Sequence, residues 1–126
     1  MTPPARVIAI LDDEENFRRA LSRLLRAHGY EVASFASGQD LFAGMTVRRF
    51  DCLLLDLDMP GITGFDVLAV LKERPAPPPV IVITAHDEPE YVERARALSA
   101  FECQSKPIGA PALLGAIERA LAHRAH

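Results

Sequence analysis

Cys52-Leu53-Leu54-Leu55-Asp56-Leu57-Asp58-Met59-Pro60-Gly61 is the stretch that decides the fold. Four apolar residues run into an aspartate, and a turn follows at once at Pro60-Gly61. The run is short and apolar at both parities, the pattern of a strand buried on both faces of a parallel sheet. A carboxylate at the end of such a strand sits on the rim at the strands' carboxyl ends. Open α/β sheets place ligands and chemistry there. Taken alone, Asp56 also reads as the opening of a turn, a role that aspartate favours.

The flanking sequence chooses between these readings. Val7-Ile8-Ala9-Ile10-Leu11 is a first strand, ended by Asp12-Asp13. From Glu14 the period becomes helical. Phe17, Ala20, Leu21, Leu24, Leu25 and His28 share one face, Arg18, Arg19, Arg23 and Arg26 the other, and Gly29 is the stop. Glu31 to Phe35 is a second strand, and Ser37 caps a short helix through about Gly44. The opening stretch, Asp51 to Asp56, is the third strand. Thr63-Gly64-Phe65-Asp66 resembles a capping box with aspartate in the glutamate position. The third helix then runs through Leu68 and Leu71 to about Glu73.

Pro75-Ala76-Pro77-Pro78-Pro79 ends that helix and leads to the next strand, which explains the prolines without a polyproline ligand. Val80 to Thr84 is the fourth strand. Glu90 to Leu98 is a helix with Val92, Ala95 and Leu98 as a thin apolar stripe. Phe101 to Ser105 is the fifth strand. Pro111 suits the first turn of a last helix carrying Leu113, Leu114, Ile117, Ala120 and Leu121. Residues from Ala122 to His126 are expected to fray. Five strands alternating with five helices predict one α/β domain, core about residues 6–122, with a parallel sheet covered on both faces.

Composition narrows the function. The 126 residues suit one domain, and 49% of them are hydrophobic, enough for a sizeable core. The net charge is −3 and the pI about 5.8. That offers no basic field for a nucleic-acid backbone, so direct nucleic-acid binding is not expected. No apolar run reaches the length of a membrane span, and Met1 to Arg6 lacks the apolar core of a signal peptide. A cytoplasmic protein is expected. Cys52 and Cys103 form neither a disulfide framework nor a metal-ligand spacing.

The polar residues at the strand ends then gather. Asp12 and Asp13 end the first strand, Asp56 the third, Thr84 the fourth and Lys106 the fifth. Parallel strands end on the same edge, so three carboxylates, a hydroxyl and a lysine share one rim. Clustered carboxylates repel and raise one another's pKa. Oxygen ligands on a solvated rim suit Mg²⁺. Lysine offers a point charge to a phosphoryl group and threonine a hydroxyl donor. A carboxylate between a metal and a lysine can act as nucleophile towards phosphorus.

Leu11-Asp12-Asp13-Glu14, Asp56-Leu57-Asp58-Met59-Pro60-Gly61, Thr84-Ala85 and Lys106-Pro107 together resemble the receiver domain of two-component response regulators, over about Val7 to Leu121. His86 after Thr84-Ala85, and the spacing to Lys106, look most like the FixJ-like subgroup. The resemblance implies a flavodoxin-like sheet of order 2-1-3-4-5. It implies Asp56 as phospho-acceptor. Mg²⁺ would be bound directly by Asp13 and Asp56, through water by Asp12, and by the backbone carbonyl of Asp58. Thr84 and Lys106 would contact the phosphoryl group, Asp58 and His86 would tune its lifetime, and Lys106-Pro107 would be cis, as an X-Pro bond permits.

The implied partner is a sensor histidine kinase or phosphotransfer protein. A second copy would dock on the face of the fourth helix, fifth strand and fifth helix. The chain would then be a switch that takes part in its own phosphotransfer and dephosphorylation, rather than a turnover enzyme.

Three positions depart from the family pattern. Ser99 stands where glycine is usual, Cys103 where a switch aromatic is usual, and Gln104 where an apolar residue follows it. Phe101 has the parity of Cys103 and is expected on the same face. In the implied order the strands of Cys52 and Cys103 are two spacings apart, ~9.6 Å, beyond the ~7 Å Cα limit of a disulfide, so both are expected as free, small hydrophobes.

Two other readings remain at this stage. Asp56-Leu57-Asp58 is also the DxD of haloacid-dehalogenase-type phosphatases, although there the nucleophile strand comes first and the acidic pair last. The other is an interaction module on the same fold that is never phosphorylated.

Overall fold

A computed structural model describes residues 5–59, 61–86 and 88–124. Pro60 of the expected turn, the first four residues of the chain and the last two of the expected frayed end lie outside these. The elements alternate as expected: β1 (Val7–Leu11), α1 (Glu15–Ala27), β2 (Glu31–Phe35), α2 (Gly38–Met45), β3 (Cys52–Leu55), α3 (Gly64–Lys72), β4 (Val80–Thr84), α4 (Pro89–Ala97), β5 (Glu102–Ser105) and α5 (Ala110–Arg124). All pairings are parallel, in the order β2-β1-β3-β4-β5. Among the described residues no helix is long and apolar enough to cross a membrane.

The continuous apolar runs follow from burial on both sides. Val7, Ala9, Leu11, Leu53, Leu55, Val80 and Val82 face one way, into a core with Leu41, Phe65, Val67, Leu68, Leu71 and Ala95 of α2, α3 and α4. The alternate residues Ile8, Ile10, Cys52, Leu54, Ile81 and Ile83 face the other way, against Leu21 and Leu25 of α1 and Leu113, Ala116, Ile117 and Ala120 of α5. β2 and β5 are the edges and are only partly buried, which is why their patterning is weak.

Local chemistry sets the helix ends. Ser37 Oγ accepts from the Asp40 amide at 3.2 Å. Thr63 and Asp66 form the full capping box. Gly29 closes α1 at φ +88°, a conformation that glycine adopts at no steric cost. The Lys106–Pro107 peptide is cis.

Four expectations need correction. Ala20 and His28 are exposed and Ser22 is buried, so the inward stripe of α1 is narrower than its apolar spacing. Residues 122–124 do not fray: α5 continues to Arg124, whose Nη1 donates to the Phe50 carbonyl at 3.2 Å. β3 and β5 are shorter than expected, at Cys52–Leu55 and Glu102–Ser105. Finally, Phe101 does not share the face of Cys103. It precedes β5 in a bend, where strand parity does not apply, and packs on the α5 side with its ring 5.1 Å from that of His123. Cys103 packs on the opposite core. Cys52 and Cys103 are both free and lie on opposite faces of the sheet.

Ser99 sits at φ +70°, the left-handed region that a Cβ disfavours. Ser99→Gly therefore removes strain at some cost in unfolded-chain entropy. A net gain of about 0.5–1 kcal/mol is expected, read as a higher urea midpoint at unchanged slope.

Candidate functional site

Each strand delivers its polar residue to one edge. The Asp56 amide donates to the Leu11 carbonyl at 3.0 Å and the Lys106 amide to the Thr84 carbonyl at 2.8 Å, so the last residues of neighbouring strands are locked side by side. Asp12, Asp56 and Thr84 are buried, at 1%, 6% and 2% exposure, whereas Asp13 is open to solvent. Asp12, Asp13 and Asp56 each offer an oxygen within 4.8 Å of the others. Lys106 Nζ lies 3.0 Å from Asp12 Oδ2, 3.8 Å from Asp56 Oδ1 and 3.9 Å from Glu14 Oε1. The five residues expected on the rim are thus brought together.

Burial and crowding set the electrostatics of this edge. Burial, then the neighbouring Asp12, push Asp56 from an ordinary 3.8 up to about 6, against the pull of Lys106 and the Asp58 amide. For Lys106 burial works downward. The hydrogen bond to Asp12 and the charges of Asp56, Asp12 and Glu14 outweigh it, so the ammonium is held above its usual range.

Asp12 is already engaged at both oxygens. Oδ1 accepts from the Glu14 amide at 2.9 Å and Oδ2 from Lys106. With Asp13 and Asp56, Asp12 makes a set of carboxylate oxygens of the kind a hard divalent cation takes.

The remaining expected residues flank this centre. The Thr84 hydroxyl accepts from the His86 amide at 3.0 Å. His86 Nε2 meets Asp58 Oδ2 at 2.6 Å, which joins the β3–α3 loop to the β4–α4 loop. Cys103 is not on the rim. It lines a cavity of about 190 Å³ between α4 and β5 with Thr84, Val92, Arg96, Gln104 and, at one end, Phe101.

Four contributors escaped sequence reasoning. The His86 ring stacks on Tyr91 of α4 at 5.0 Å. Arg18 Nη1 donates to the Asp12 carbonyl at 2.6 Å. Lys106 Nζ lies over the Phe17 ring, 4.3 Å from its centroid. Gly64 abuts the Asp56 carbonyl. None has a sequence signal beyond helical spacing, because each acts on a residue outside its own helix.

Comparison with known proteins points the same way. The family described as the response regulator receiver domain matches residues 8–118. The DNA-binding transcriptional regulator NtrC of Klebsiella pneumoniae is 32% identical over 114 residues, 90% of this chain and 24% of that protein. The response regulator protein TodT of Pseudomonas putida is 36% identical over 121 residues, 96% of this chain and 53% of that protein. The chain therefore spans about a quarter to a half of the length of these relatives. The chemotaxis protein CheY4 of Vibrio cholerae superposes with a TM-score of 0.87 at 28% identity, covering 94% of this chain and 100% of that one.

Proposed function

The chain belongs to the response regulator receiver domain family of two-component signalling, and from that premise we propose that Asp56 is its phospho-acceptor. The observation that supports this best is a buried carboxylate, Asp56, 3.8 Å from a lysine that Asp12 holds in place. An Asp56 carboxylate oxygen attacks phosphorus, and the bond from phosphorus to the donor's leaving group breaks. The phosphoryl oxygens are then held by the Lys106 ammonium and the Thr84 hydroxyl. The donor is a phosphohistidine of a sensor kinase or phosphotransfer protein, or a small phosphoramidate. Mg²⁺ held by Asp13, Asp56, the Asp58 carbonyl and, through water, Asp12 would supply positive charge against the carboxylates and the phosphoryl oxygens. Asp58 and His86, joined to each other beside the acceptor, limit the access of water and so set the lifetime of the acyl phosphate. His86 and the spacing to Lys106 are also the basis for placing the chain in the FixJ-like subgroup.

Incubation with phosphoramidate and Mg²⁺ is expected to add one phosphoryl group by intact mass, and excess EDTA to prevent it. Borohydride reduction followed by peptide mapping should then find homoserine at position 56. Homoserine at any other aspartate would overturn the assignment.

The output face, in the same reading, is α4, β5 and α5, where a second copy docks. In the family, Thr84 moves towards the phosphoryl group and an aromatic on β5 turns inward behind it. Here that position is Cys103, which has no ring to fill or vacate the cavity of about 190 Å³ beside it, while Phe101 on the cavity wall is packed with His123. Losing the ring removes one source of the free-energy difference between the two states. Beryllofluoride is therefore expected to shift dimerisation of the wild type less than that of Cys103→Tyr, compared by sedimentation. Full dimerisation of the activated wild type, with nothing added by the tyrosine, would refute this.

A further inference from the structure

We infer that Phe17 is a positioning residue for Lys106, its ring steering the ammonium for the phosphoryl group on Asp56. The inference rests on the reading of Asp56 as acceptor. Three sides of the Lys106 nitrogen face the carboxylates of Asp12, Asp56 and Glu14 at 3.0, 3.8 and 3.9 Å. A further side faces the Phe17 ring, 4.3 Å from its centroid, and only 17% of the lysine side chain is exposed. Lysine is a point charge on a flexible stem, so its position depends on what surrounds it. Asp12 holds the nitrogen at hydrogen-bond distance, nearer to itself than to Asp56. A ring face attracts an ammonium without a fixed direction. It therefore keeps hold of Lys106 while the nitrogen shifts from Asp12 towards an incoming phosphoryl oxygen.

The ring is well placed for this task. Phe17 packs on the core beneath α1 and α5. Its neighbour Arg18 ties the first turns of α1 to the end of β1 through the 2.6 Å bond to the Asp12 carbonyl. An aliphatic residue at position 17 would fill the same space and give the ammonium nothing.

Phe17→Leu and Phe17→Tyr, each alone and with Lys106→Met, test this. Phosphorylation by phosphoramidate is followed by intact mass and the Lys106 ε-CH₂ resonances by NMR. Phe17→Leu is expected to slow phosphorylation ~3–10-fold, the scale of one cation–π contact, and Phe17→Tyr to retain the rate. The leucine should cost nothing further in Lys106→Met. The Lys106 ε-CH₂ protons should lie upfield in the wild type and move downfield in Phe17→Leu as the ring current is lost. An equal slowing by the leucine in both lysine backgrounds, or an unmoved Lys106 signal, overturns the inference. Wild type that takes up no phosphoryl group overturns the reading of Asp56, and this inference with it. Normal uptake by both Phe17→Leu and wild type overturns the inference alone.

Discussion

Asp56→Asn is expected to take up no phosphoryl group from phosphoramidate, and to be the more heat-stable protein when no metal is present. The first effect follows because the amide is a poor nucleophile where the carboxylate is the attacking group. The second follows from the environment. Asp56 is 6% exposed and lies beside Asp12, and Lys106 sits closer to Asp12 than to it. Its carboxyl is accordingly raised from 3.8 to about 6.

Between those two values the folded state holds a proton that the unfolded chain has released. Stability from this group is therefore fully present below about pH 4, and is lost as pH rises through about 6. Asparagine has no such dependence. The advantage of Asp56→Asn should be absent near pH 4, grow through about pH 6, and level off above it on the order of 3 kcal/mol. Mg²⁺ should narrow it, since a cation stabilises the native wild type by mass action, about 2.7 kcal/mol at a hundredfold excess over Kd. Melting curves of both proteins at several pH values, with EDTA and with Mg²⁺, read all of this. A mutant melting below the wild type at pH 7 in EDTA would show that Asp56 is not under strain.

What was legible in the sequence is what depends on short-range pattern. The runs Val7–Leu11, Cys52–Leu55 and Val80–Thr84 could be read as central strands because every residue in them is buried, whichever face it points to. Once the strands are parallel, the placement of Asp12, Asp56, Thr84 and Lys106 on one rim follows without coordinates.

The misreadings arise where a residue's neighbours come from elsewhere. Phe101 has strand parity, but it precedes β5 and turns towards His123. Arg124 closes α5, where a last helical turn tends to fray, and is held by the carbonyl of Phe50. The pairing of His86 with Asp58 is of the same kind: two loops are joined that sequence places far apart. Phe17 reads as one more apolar position on an amphipathic helix, and only the fold sets its ring against Lys106.

Gly64 belongs to this last group and carries the second large expected effect. In sequence it is merely the residue after the helix cap Thr63, a place where many side chains are tolerated. In the structure its amide donates to the Leu57 carbonyl at 3.0 Å, which draws α3 hard against the end of β3. A Cβ at position 64 would stand 2.4 Å from the Asp56 carbonyl oxygen and 2.6 Å from Leu57 Cα. Both are backbone atoms, so no side-chain rotation relieves the clash. Either α3 moves outward or the chain carrying Asp56 shifts.

Gly64→Ala is therefore expected to cost about 2–3 kcal/mol, the upper part of the range for overpacking. It should also slow phosphorylation well beyond what the stability loss explains, since a misplacement of about 1 Å can cost about 100-fold. Gly61→Ala separates this from backbone preference. Gly61 has φ +78° but, among the described residues other than its chain neighbours, no atom lies within 4 Å of an added Cβ, so its alanine carries conformational strain alone. Urea unfolding and phosphoramidate kinetics on the two variants should show both stability and rate falling for Gly64→Ala. For Gly61→Ala the loss should fall mainly on stability. If Gly64→Ala unfolds within about 0.5 kcal/mol of the wild type and phosphorylates at its rate, the contact between α3 and the acceptor strand does not hold Asp56 in place, and the site is positioned by its charges alone.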